Sequence, residues 1–144
     1  MMRKLLFCLV LLCAISANSV AVVNWDGGAP DDLWSNALNW DPNQVPTLSD
    51  DVGIYGYYSG GNPNVEIDAV TTAQFFQTCT IGNGSTVTVN GGSLLASVPA
   101  DPNFAYLHQI NVAVGFSTGN GTLNINGGTV ESFGFNIATA DGAA

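Results

Sequence analysis

From residue 51 onward the chain alternates apolar and polar positions in short runs. Val65 and Ile67 stand between Asn64, Glu66 and Asp68, and Val87 and Val89 between Thr86, Thr88 and Asn90. Ile110, Val112 and Val114 follow, then Leu123 and Ile125, then Phe135 and Ile137. Successive side chains of a strand point to opposite faces, so each run predicts a strand with one buried face. No stripe of helical period separates them. Residues 22–50 differ: they hold all three tryptophans, Trp25, Trp34 and Trp40, and sustain neither period. That stretch predicts a compact, loop-rich N-terminal cap.

The turns between the strands repeat. Gly82-Asn83-Gly84-Ser85 returns as Gly119-Asn120-Gly121-Thr122, and Asn90-Gly91-Gly92 returns as Asn126-Gly127-Gly128. Asn111-Val112-Ala113 is echoed 25 residues later by Asn136-Ile137-Ala138. Short strands joined by Gly/Asn turns at such a period predict a solenoid whose coils stack, each strand pairing in parallel with its copy. The expected fold is all-β: a right-handed parallel β-helix (β-solenoid) over residues 51–144, behind the cap at 22–50. Its interior would be lined by Val87, Val89, Val112, Val114, Leu123, Ile125 and Ile137, with Asn90 stacked on Asn126. The alternative architecture is a β-sandwich, which also uses short strands and Gly-rich turns. Phe135 to Ala144 matches the first part of the preceding unit and then stops, so the chain is expected to be truncated within a repeat.

The order Trp25, Trp34-Ser35, Asn39-Trp40, Pro46 and Asp50-Asp51-Val52-Gly53-Ile54 resembles the opening of large bacterial surface and exported proteins. The units at Ser85–Gly92 and Gly121–Val130 are similar to the repeats of autotransporter passenger domains and of exported proteins bearing a PEP-CTERM sorting signal. This resemblance implies a parallel β-helix displayed outside the cytoplasm. Neither a membrane barrel nor a Pro-Glu-Pro tail accompanies it here.

The N-terminus changes the picture of charge. Arg3 and Lys4 precede the apolar run Leu5 to Ile15, and Ser19-Val20-Ala21 supplies small residues, so residues 1–21 read as a cleavable secretory signal peptide. The apolar run is shorter than the roughly 20 residues a membrane-spanning helix needs. The two basic residues of the whole chain leave with this segment, whereas all eleven acidic residues remain. A mature chain without Lys or Arg cannot displace the counterions of nucleic acid or dock on an anionic membrane surface. Polyuronides are repelled for the same reason. Neutral polysaccharide and other surface proteins remain as partners, and the expected location is secreted or cell-surface. Cys8 and Cys13 also lie in the leader, which leaves Cys79 without a disulfide partner and reads it as a small buried hydrophobe.

Candidate chemistry is sparse. Asp50 and Asp51 are adjacent in a strand and so face opposite ways, which spoils them as a glycosidase pair. Basic side chains, on which β-helix lyases depend, are absent from the mature chain, and His108 is its sole imidazole. No Gly-x-Ser-x-Gly, His-Glu-x-x-His or phosphate-binding loop occurs. The expected protein is therefore a non-catalytic structural or adhesive one, with no cofactor. The alternatives are a carbohydrate-binding module and, third, a glycoside hydrolase of β-helix fold. Asp26, Asp31 and Asp32 beside Gly27-Gly28 are the candidate calcium ligands, although neither EF-hand spacing nor a Gly-Gly-x-Gly-x-Asp nonapeptide is present. Trp25, Trp34 and Trp40 could stack sugars or plug the end of the core. Residues 97–109 form an insertion, and Tyr106 and His108 are its candidate ligand-binding residues. Asn83 and Asn120 fit glycosylation sequons and read better as turn residues.

Overall fold

The computed structural model describes residues 20–112 and 120–137. Among the described residues ten strands carry the fold: β1 (Ala21–Trp25), β2 (Trp40–Asp41), β3 (Asp50–Tyr55), β4 (Asn64–Asp68), β5 (Thr72–Phe75), β6 (Thr78–Gly82), β7 (Thr86–Ala96), β8 (Gln109–Val112), β9 (Thr122–Glu131) and β10 (Gly134–Ile137). A single helical turn, Gly56–Ser59, and two short 3-10 turns at Ala37–Asn39 and Pro102–Leu107 complete the described elements. No helix among the described residues is long and apolar enough to cross a membrane.

The strands form two sheets. Sheet A has the order β10-β8-β6-β3-β1-β2, and sheet B has β4-β7-β5 with β9 on the other side of β7. In-register pairing turns the alternation of single strands into apolar rows. Val23, Val52, Cys79, Ile110 and Phe135 are successive partners across sheet A. Val65, Val87 and Leu123, and then Ile67, Val89 and Ile125, are successive partners across sheet B. The inward members of both sheets, from Val23 to Ile110 and from Val65 to Leu94, belong to one buried cluster. Each Leu, Ile or Val taken fully from water into such a cluster contributes about 1.5–3 kcal/mol before entropy is counted.

The expected right-handed parallel β-helix is corrected by this arrangement. Sheet A is mixed: β2 runs antiparallel to β1, with Trp25 opposite Trp40, and the stretch read as a loop-rich cap supplies both strands. The physical cause is the tryptophans. Turning β2 back onto β1 buries Trp25, Trp34 and Trp40 together, with Trp40 edge-on to Trp25 at 5.0 Å and to Trp34 at 4.8 Å. A second correction concerns the interior. Ile125 and Ile137 are 55% and 75% exposed and Leu123 is half-buried, because β9 and β10 lie at the margins of their sheets. Asn90 pairs with Gly127 rather than Asn126, and its amide donates to Glu66 Oε1 at 3.1 Å. Val114, residues 1–19 of the expected leader and the expected break in the repeat lie outside the described residues.

At the bend of β7, Gly91 has φ +92°, and a Cβ on Gly92 would press on the carbonyl oxygens of Asp68 and Thr71. Glycine is required there because the chain of the preceding corner passes directly against it.

Candidate functional site

The polar members of the alternating runs are aligned by the same register that aligns the apolar ones. On the outer face of sheet B, Asn64, Thr86 and Thr122 form one row, and Glu66, Thr88 and Asn124 the next. The segment Asp32–Trp34 runs alongside β4 and walls this face. Glu66 N donates to the Asp32 carbonyl at 2.7 Å, and Trp34 N donates to the Glu66 carbonyl at 2.9 Å. The wall is held by Asn39, which is fully buried. Its Nδ2 donates to the carbonyls of Asp31 and Leu33 and to Asp31 Oδ1, while its Oδ1 accepts from Ala29 N. Trp34 is fully buried behind it.

Between wall and sheet lies an open groove of about 350 Å³ lined by Asp32, Asn64, Val65, Glu66, Thr86, Thr88, Asn90 and Asn124. Two carboxylates, three amides and two hydroxyls face it without a cationic group. Amides and hydroxyls both donate and accept, and carboxylates accept, so the set suits a neutral ligand rich in hydroxyls. An anionic ligand meets only repulsion from Asp32 and Glu66.

The residues singled out from the sequence are dispersed. Asp26 accepts from Gly28 N, and Asp31 accepts from Asn36 Nδ2 at 2.8 Å and from Leu33 N at 3.2 Å. The hydrogen bonds from Asn36 and then Leu33, with a lesser one from Asn39, hold the Asp31 carboxyl below its ordinary value against the opposing effect of desolvation. Asp32 alone of the three faces the groove. No group of three or more His, Cys, Asp or Glu able to hold a metal occurs among the described residues. The three indoles are buried to within 1%, so none offers a face for stacking a sugar. Trp40 Nε1 donates to the Trp34 carbonyl at 2.8 Å, whereas Trp34 Nε1 is buried without a hydrogen-bond partner.

Tyr106 and His108 part company. Tyr106 is 64% exposed on the Pro102–Leu107 turn, while His108 is buried beneath it. The Ser97 hydroxyl donates to the Phe76 carbonyl at 2.9 Å, which leaves His108 Nδ1, 3.0 Å away, to donate to Ser97 Oγ. The imidazole stands edge-on to Phe76 and Phe133. It fastens the insertion to the core. Asp50 accepts from Thr47 N and Oγ1, and Asp51 accepts from the N–H groups of Gln77 and Thr78 at 2.9 Å each. Asn83 takes the left-handed conformation with φ +53°, as a turn residue does.

The groove residues Asn64, Glu66, Thr86, Thr88 and Asn124 were visible in the sequence only as the outward halves of alternating runs. Register is what gathers them, and the wall at Asp32 comes from a segment without periodicity. Comparison of the chain with family models, with curated proteins and with solved structures finds no match.

Proposed function

We propose that this chain is an exported, non-catalytic adhesive or structural protein of the cell surface or extracellular space, and that it holds neutral polysaccharide along the groove of sheet B. The observation that carries this reading is the in-register pair of polar rows, Asn64-Thr86-Thr122 and Glu66-Thr88-Asn124, walled by Asp32. Extended polar rows present repeated donors and acceptors to a polymer with repeated hydroxyls. Export is supported by Arg3 and Lys4 ahead of an apolar run, and by an otherwise entirely acidic chain. A purely structural role is the second reading, favoured by the use of His108, Asp50, Asp51 and the tryptophans as fasteners.

Affinity electrophoresis separates the two. The secreted product should be retarded in gels containing a neutral polysaccharide such as dextran, galactomannan or xyloglucan, and should run freely in polygalacturonate. Thr88→Val together with Asn124→Ala should weaken that retardation about tenfold, the loss of roughly 1.4 kcal/mol that one or two hydrogen bonds supply. Equal mobility in every gel would remove polysaccharide binding from the proposal.

A further inference from the structure

The polar rows of sheet B have a fixed spacing. β4, β7 and β9 run parallel and in register through Asn64, Thr86 and Thr122 and again through Glu66, Thr88 and Asn124, and the register shifts only beyond these rows, after Ile67 and Val89. Neighbouring strands lie about 4.8 Å apart, and residues two positions apart on one parallel strand about 6.6 Å. The groove therefore offers a polar side chain at each step of about 4.8 Å across the strands, in two tracks about 6.6 Å apart. No hydrogen bond to another described residue engages the side chains of Asn64, Thr86, Thr88 or Asn124. Glu66 is steadied by the Asn90 amide at 3.1 Å.

This spacing selects among neutral polysaccharides. A chain of β-1,4-linked pyranoses is an extended ribbon, because its equatorial linkages keep successive rings nearly collinear. Each ring advances the ribbon by nearly the separation of two strands, and hydroxyls line both of its edges. Successive rings are turned over, so each edge alternates ring hydroxyls with hydroxymethyl groups, and a matching row must both donate and accept. Amides and threonine hydroxyls do both. An α-1,4-linked chain coils and an α-1,6-linked chain flexes, so neither keeps step with the strands. Asp32 and Glu66 at the groove repel any uronate unit. We infer that the groove of sheet B selects an extended β-1,4-linked neutral polysaccharide, a glucan or mannan backbone, laid across the strands with one pyranose unit to each strand. The inference rests on the polysaccharide reading above and adds to it the linkage and the direction of the ligand.

Titration calorimetry of the secreted product tests this, with β-1,4-linked gluco- and manno-oligosaccharides set against α-1,4- and α-1,6-linked gluco-oligosaccharides of the same length. Affinity for the β-linked series should rise with each unit through the trisaccharide, which spans β4, β7 and β9. At that length it should exceed the affinity for either α-linked series by about tenfold, the worth of one well-placed hydrogen bond. A ligand that crosses all three strands should be weakened severalfold by Glu66→Gln on β4, by Thr88→Val on β7 and by Asn124→Ala on β9, each with an unchanged circular dichroism spectrum. Equal affinity for α- and β-linked ligands, full affinity already at the monosaccharide, or indifference to the change on any one strand would each overturn the inference while leaving neutral-sugar binding in place. No binding of any neutral saccharide would overturn both it and the reading on which it rests.

Discussion

The Cys79 thiol lies fully buried in β6, within the apolar row between Val52 and Ile110. Burial first, and the nearby Asp51 carboxylate second, push it up to about 12 from an ordinary 9.0. The folded state therefore keeps this group protonated while the unfolded chain ionises it above about 9. Its contribution to stability is present below that pH and is lost as pH rises toward about 12. Two outcomes follow. A thiol-specific reagent at pH 8 should label the native protein far more slowly than the urea-unfolded chain, and the urea midpoint should fall between pH 9 and pH 11. Rapid labelling of native protein would contradict the burial. At this scale the sequence was informative where alternation applied. Cys79 shares parity with Ile81, and the opposed orientations of Asp50 and Asp51 follow from adjacency. The roles of Asn39 and His108 were not legible, because each depends on a loop folding back onto a distant carbonyl or ring.

At the scale of elements, the corner at Gly91-Gly92 and its copy at Gly127-Gly128 determine how a strand of sheet B bends. Gly92→Ala should cost about 2 kcal/mol or more, since the added methyl meets backbone oxygens of Asp68 and Thr71 that cannot rotate away. Urea denaturation checks this, with a lowered midpoint and an unchanged slope as the expected signature. The Gly/Asn turns were the strongest repeat signal in the sequence, and they do place β7 and β9 in parallel register. They did not reveal that the first strands are mixed in direction. Repeated turns report only the segments that contain them, and the reversal at β2 is driven by indole packing between residues 15 apart in sequence, Trp25 and Trp40. The groove was half legible for the same reason: its polar rows follow from period two, and its wall does not.

For the whole molecule, charge is the term most open to manipulation. The formal net charge is −9, and becomes −11 once Arg3 and Lys4 are removed with a leader, since eleven carboxylates then face no Lys or Arg. Self-repulsion of this size destabilises a compact state and is screened by salt, with a Debye length of about 10 Å at 0.1 M. Raising sodium chloride from about 0.02 M to about 0.5 M at fixed protein concentration should raise the urea midpoint. A midpoint that falls would mean that favourable ion pairing outweighs the repulsion, which the composition forbids for a mature chain.

The parallel register also sets a timetable. Val52 meets Cys79 after 27 residues, Val65 meets Val87 after 22, and Val87 meets Leu123 after 36, so every such pairing waits for a distant stretch of chain. Loop closure must be completed before any of these contacts rewards it, which places the protein among slow folders. If the chain is exported as proposed, pairings that form late leave more time for it to be threaded through a translocation channel before it acquires its shape.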